Sequence, residues 1–126
     1  MLNDKDVGAT VAVRHLAAAK EFYGEILGLQ VVEDMEPGGL VYRSGRTQLL
    51  VYVSEYAGTN RATAATWDVG GAIDEIVRSL QSKGVRFEHY DLPDTQREGD
   101  IHVSGNLRLA WLKDPDGNIL ALAGTV

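Results

Sequence analysis

The sequence contains no cysteine. Thiolate nucleophiles, disulfides and Cys-ligated zinc are therefore excluded, and a metal centre would have to be assembled from histidine and carboxylate groups. Histidine is itself scarce, at three residues. No apolar run approaches the roughly 20 residues of a helical membrane span, and the opening MLNDKDVGAT lacks the basic and apolar regions of a secretory signal. A cytoplasmic protein with no membrane partner is the expectation. Basic residues are outnumbered, 12 Lys and Arg against 18 Asp and Glu, and they are scattered along the chain. No phosphate-neutralising stripe results, so nucleic acid is not an expected partner. The formal net charge of −6 serves solubility first and otherwise favours cationic or neutral small molecules.

What is present is strong periodicity in a chain long enough for one domain over residues 1–126. ATVAVRH alternates as a half-buried strand, with Ala9, Val11 and Val13 on one face. A helix follows, in which Leu16, Ala19, Tyr23, Ile26 and Leu27 recur at helical steps and Gly28 occupies the place of a left-handed cap. LQVVED, GLVYRS and TQLLVYVS read as three strands separated by turn signals. The pattern then restarts with the strand ATAATWDV and a helix striped by Ile73, Ile76, Val77 and Leu80 and closed by Gly84. VRFEHY, LRLAWLK and NILALAG are the remaining strand candidates, and DLPDTQREGDIHVSGN reads as a long inserted loop.

Val13 and Val69 are 56 positions apart, as are Gly28 and Gly84, so the strand-helix-strand portion is duplicated. The predicted organisation is α+β: two βαβββ modules, residues 8–54 and 64–124, joined by a connector at 55–63. A sheet with one helix buries a single face, so two such curved sheets are expected to close around a cleft or partial barrel, a concavity suited to a small ligand.

FYGEILGL, the repeated strand-helix-strand and WLKDPDGNILAL, in this order, resemble the glyoxalase, bleomycin-resistance and extradiol-dioxygenase superfamily, also called vicinal oxygen chelate. YAGT and GVRFEHYDLP are similar to single-domain glyoxalase-like members. The resemblance implies metal ligands from the first strand of each module and from the last strands. Those positions fall here on Gly8, Ala64, Ala121 and either Leu49 or Leu50. None offers a nitrogen or oxygen donor, so no metal or other cofactor is expected, and metal-dependent lyase, isomerase or dioxygenase chemistry is disfavoured. The resemblance also implies a homodimer.

If Ala64 faces the cleft, alternation places Thr66 and Asp68 beside it and turns Trp67 and Val69 toward the second helix. Ile119, Ala121, Ala123 and Trp111 likewise face the cleft, while Leu112, Leu120 and Leu122 face the helix, and Tyr42 or Tyr52 joins from the first module. In FEHYD, Glu88, Tyr90 and Asp91 read as a general base with a hydrogen-bond donor, or else Arg86, Glu88 and Tyr90 form one face of an ordinary strand. Asp114 and Asp116 are turn formers, and His15, His89 and His102 are structural or surface residues.

The expected function is metal-independent binding of a small molecule, with sequestration of a drug or metabolite as its sharpest form. Tyr42, Tyr52, Thr66, Asp68, Glu88 and Trp111 are the candidate ligand contacts. The alternatives are a lyase, isomerase or dioxygenase-like enzyme, with or without a divalent metal and with Glu88 or Asp68 as base, and a dimeric accessory protein without a ligand.

Overall fold

Alternation in the first strand resolves cleanly in the computed structural model, which describes residues 1–126. Val11 and Val13 are 1% and 0% exposed within β1 (Ala9–Val13), whereas Ala9 lies open. The chain forms two compact units, Met1–Ala57 and Gly58–Val126, divided inside the predicted connector. No helix is long and apolar enough to cross a membrane.

In the first unit, β1 pairs in parallel with β4 (Thr47–Val53), followed across the sheet by β3 (Gly39–Ser44) and the edge strand β2 (Gln30–Asp34). Parallel neighbours require a crossover, which the helical segment supplies. Its start, α1 (Leu16–Ala19), is α-helical, but Lys20–Ile26 continues as a π-helix. The closing bonds run from the Leu27 N–H to the Phe22 carbonyl and from the Leu29 N–H to the Tyr23 carbonyl. The wider turn lets two consecutive residues, Phe22 and Tyr23, both reach the interior. There the Tyr23 ring lies 5.0 Å from Phe22, edge-on, and 6.1 Å from Tyr42.

The second unit contains β5 (Thr63–Gly70), α2 (Ile73–Ser82), β6 (Phe87–Glu88), β7 (Gln96–Glu98), β8 (Ile101–Ser104), β9 (Leu107–Lys113) and β10 (Ile119–Thr125). The sheet order is β5-β10-β9-β8-β7, and β6 shares with β8 the edge of β9 that β10 does not use. The α2 stripe of Ile73, Val77 and Leu80 is buried, as are Ala110, Leu112, Leu120 and Leu122 on the sheet face beneath it. Each fully buried leucine there contributes about 1.5–3 kcal/mol. Gly84, at φ 90°, ends α2 with a Val85 N–H to Leu80 carbonyl bond of 3.0 Å.

The predicted loop at 91–106 is corrected: it contains β7 and β8, a hairpin leading into β9. Three exposed polar residues, Gln96 to Glu98, carry no hydrophobic alternation that would reveal β7. VRFEHY shortens to Phe87–Glu88, and His89 and Tyr90 leave the ladder where β8 takes over the β9 edge at Leu109. The turn before β10 forms as its residue types require. Asp114 Oδ1 accepts the backbone N–H groups of Asp116 and Asn118 at 3.0 and 2.9 Å, and the Asn118 side-chain amide donates to Asp114 Oδ2 at 2.7 Å.

Candidate functional site

Residues directly opposite on paired strands project from the same face of a sheet. The register of the second sheet therefore sets Thr66, Ala121, Trp111 and Glu88 in one row across β5, β10, β9 and β6. The next row is Asp68, Ala123, Leu109 and His102. Both rows lie on the face opposite α2, since Leu112 and Leu120 alternate to the helix side. Four predicted contacts, Thr66, Asp68, Glu88 and Trp111, thus share one face.

Their surroundings differ. Trp111 is half-buried and its indole Nε1 donates to Thr63 Oγ1 at 3.2 Å. Thr63 was not predicted, because strict alternation would turn it toward α2. An irregularity in β5 places Thr63 opposite Ile119 and Ala65 opposite Leu120, leaving Ala64 as the extra residue, so Thr63 returns to the indole side. Glu88 pairs with Lys113 at 3.3 Å, an exposed bridge that contributes little stability. Asp68 is exposed and accepts the Gly70 N–H at 3.2 Å.

Trp111 also anchors an aromatic corner. Its ring meets Tyr90 edge-on at 5.2 Å and His102 edge-on at 4.9 Å. His102, expected in a loop, belongs to β8 and is 2% exposed. Its Nε2 accepts the Tyr90 backbone N–H at 3.0 Å, a bond that joins the end of β6 to β8 where the two strands share the β9 edge. Its Nδ1 is buried with no hydrogen-bond partner, and so is the Tyr90 hydroxyl. A buried polar atom left unpaired costs about 1–3 kcal/mol. The alternation I-H-V-S ahead of the SGN turn was the one sequence signal for β8 and hence for His102.

His89 lies just beyond β6, and its Nε2 is 2.6 Å from Asp100 Oδ1. Gln81 donates to the other Asp100 oxygen at 2.7 Å. The bond to His89, with help from Gln81, holds the Asp100 carboxyl below the usual carboxylate range.

The two tyrosines of the first unit are separated by the pleat. Tyr42 stands opposite Leu49 and Tyr52 opposite Gly39, so they occupy opposite faces of their sheet. Tyr42 is 0% exposed beside Tyr23 of the π-helix, and its placement on a helix-free face is corrected: it is an interior residue. Its hydroxyl has no partner, and burial pushes the phenol pKa up. Tyr52 is 39% exposed.

The Glyoxalase/Bleomycin resistance protein/Dioxygenase superfamily profile matches residues 7–122. The chain belongs to this superfamily. Among solved structures, a glyoxalase/bleomycin resistance protein/dioxygenase from Alicyclobacillus acidocaldarius is 21% identical, with a TM-score of 0.72 over 99% of this chain and 95% of the other. Lactoylglutathione lyase from Agrobacterium tumefaciens is 17% identical, with a TM-score of 0.72 over 97% and 95% of the two chains. The genomically encoded fosfomycin resistance protein of Listeria monocytogenes is 12% identical, with a TM-score of 0.72 over 98% and 94%. At these identities the likeness establishes a common fold. No curated protein sequence matches the chain.

Within this superfamily the residues at the expected ligand positions do not fit a divalent cation. Gly8 precedes β1, Ala64 is the extra residue of β5, and Ala121 is 3% exposed between Trp111 and Thr66. Leu49 is buried and Leu50 half-buried. Divalent cations require converging nitrogen or oxygen donors, and these side chains have none. No group of three or more His, Asp or Glu residues elsewhere is placed to hold a metal ion.

Proposed function

We propose that this glyoxalase-superfamily protein binds a flat, largely apolar small molecule without a metal, on the helix-free face of its second unit, and sequesters it. The observation that carries this reading is the direct pairing of Trp111 with Ala121. Where the superfamily resemblance calls for a carboxylate, a methyl group stands beside an indole. Trp111 supplies the aromatic surface, the small side chains of Ala121 and Ala123 flank it, and Thr63 fixes the indole orientation through Nε1. Stacking on such a surface suits an aromatic ligand and leaves bond-making chemistry without an evident catalyst.

The reading is tested by a thermal-shift and fluorescence screen with aromatic compounds, repeated on Trp111→Ala. Ligands that raise the melting temperature of the parent should lose about 10–100-fold in affinity in the variant, the range that removal of a central aromatic anchor produces. A panel with no binder, or binding indifferent to Trp111→Ala, removes the reading.

A second reading, metal-independent enzymatic activity, draws on the His89–Asp100 pair. A histidine aligned by a carboxylate is the arrangement of a general base. Glu88 and Asp68 are weaker candidates for that role, one being paired with Lys113 and the other bound to its own turn. Lactoylglutathione formation and fosfomycin modification are the first reactions to assay, with and without chelator and with His89→Gln as control. Chelator-sensitive turnover with stoichiometric bound metal would replace both readings.

The exposed edge strand β2, with Val31 and Val32 47% and 43% exposed, supports a homodimer as a further part of the proposal. Light scattering on the purified protein decides it.

A further inference from the structure

The protonation pattern of His102 has a direct bearing on what Trp111 would hold. A nitrogen that accepts a hydrogen bond carries no proton, so acceptance of the Tyr90 N–H by Nε2 assigns the ring proton to Nδ1. Nδ1–H is then a donor, shielded from solvent and without an acceptor. The Tyr90 hydroxyl is a second shielded, unpartnered polar group, and both residues have their rings edge-on to the same indole. Buried donors are satisfied in the great majority of folded proteins. Two exceptions around one half-buried tryptophan are a structural statement about what that tryptophan is meant to meet.

We infer that the ligand stacked on Trp111 is a planar apolar ring system bearing a neutral carbonyl oxygen, and that His102 Nδ1–H is the donor that recognises it. The inference rests on the reading of Trp111 as the binding surface. Neutrality follows from the groups on this face. The shielded donors, an imidazole N–H and a phenol O–H, are uncharged. Two cations share this face: Lys113 of β9, engaged by Glu88 at 3.3 Å, and Arg97, exposed on the edge strand β7 opposite His102. Glu88 and Asp68 belong to the same two rows as Trp111 and His102. A carboxylate held at the buried His102 donor would lose its hydration beside these acids, and the solvent-exposed guanidinium of Arg97 would offset little of that cost. Tyr90 lies in a stretch without regular structure after β6, so it can swing aside to admit the carbonyl while β9 and β8 stay in register.

The test uses three probes of one shape: naphthalene, 2-acetylnaphthalene and 2-naphthoate, titrated into the labelled protein and followed by backbone and histidine side-chain nitrogen NMR. Before any probe is added, the His102 nitrogen shifts should report a proton on Nδ1. A proton on Nε2 overturns the inference. The acetyl compound should bind about tenfold more tightly than naphthalene, the effect of satisfying one buried donor, and it alone should shift the Nδ1 proton resonance. His102→Phe should reduce the preference for the acetyl compound to less than about twofold while naphthalene binding persists. If that variant does not fold, the Nδ1 resonance of the parent still decides. Equal affinity for naphthalene and its acetyl derivative, both dependent on Trp111, would overturn the role of His102 and leave the binding reading intact. Tightest binding by naphthoate overturns the neutral oxygen. Failure of all three to bind removes both the inference and the reading beneath it.

Discussion

The two units share a plan and differ in where they put their aromatic rings. In the first, Phe22, Tyr23 and Tyr42 gather on the helix side of the sheet, with Tyr23 and Tyr42 fully buried. In the second, Trp67 and Phe87 stand on the helix side, opposite Leu122 and Leu112, and three further rings, Tyr90, His102 and Trp111, gather on the other face. The helices differ accordingly. Both end at a glycine of positive φ, 78° at Gly28 and 90° at Gly84. However, the closing bond runs from Leu29 back to Tyr23 in one and from Val85 back to Leu80 in the other. The extra residue in the first turn is what admits two adjacent aromatic side chains to the interior. A duplicated scaffold can therefore keep its spacing while one copy confines its aromatic cluster to the helix side and the other adds a cluster on the opposite face.

The largest effect that would break this contrast concerns Tyr42 and Trp111. Tyr42→Ala opens a cavity in a filled interior and should cost about 3–4 kcal/mol of stability in urea denaturation. Trp111→Ala, at a half-buried position, should cost about 1–2 kcal/mol while abolishing most ligand affinity. Equal destabilisation by the two substitutions would mean that the second cluster is interior packing too.

Next in size are the helix ends. Gly28→Ala and Gly84→Ala each force a side chain into a left-handed backbone and should cost about 1–2 kcal/mol by thermal denaturation. A clear difference between them would show that the π-turn ahead of Gly28 relaxes more readily than the α-turn ahead of Gly84.

The pH profile separates the units more finely. Asp100 in the second unit is held below the usual carboxylate range, chiefly by its bond to His89, so its ionised form is favoured in the native state. Its contribution is complete above the ordinary aspartate value of about 3.9 and is lost as the pH falls through the lower folded-state value. Asp100→Asn should flatten the acid limb of a stability–pH curve. Tyr42 behaves in the opposite sense: burial raises its pKa and favours the neutral phenol in the native state. Native stability is retained below about pH 10 and falls as the pH rises through the higher folded-state value. Tyr42→Phe should flatten the alkaline limb.

The smallest effect belongs to that same substitution at neutral pH. Because the Tyr42 hydroxyl has no partner, Tyr42→Phe should change stability by less than about 0.5 kcal/mol or raise it slightly. A larger loss measured by urea denaturation would reveal a polar contact at that hydroxyl.

Much of the scaffold was legible in the sequence because its signals are local. Alternation in TQLLVYV, helical steps before Gly28 and Gly84, and the DPDGN turn each specify an element without help from distant residues. The alternation around Trp111 also divided the last hairpin between the helix side and the opposite face, as the register has it. What escaped depended on tertiary pairing. The β7–β8 hairpin is short and mostly polar, so only the brief I-H-V-S alternation distinguishes it from a loop. Thr63 was hidden by a one-residue irregularity that reverses the face of everything before it. Tyr42 was assigned to the wrong face because either face of β3 is apolar enough to be interior: Leu40 and Val41 are both buried. His102 became meaningful only once Tyr90 was seen to occupy one of its nitrogens.

One edge of β9 is divided between two strands, β8 along Leu107 to Leu109 and β6 along Trp111 and Leu112. The chain between those strands can be lengthened or shortened without moving any residue of β9, and the entropy of closing a longer loop grows only slowly with its length. Frame and lining are thus separate design variables: the seam at His102 allows the Tyr90 segment to be exchanged as a cassette while the sheet that carries Trp111 keeps its register.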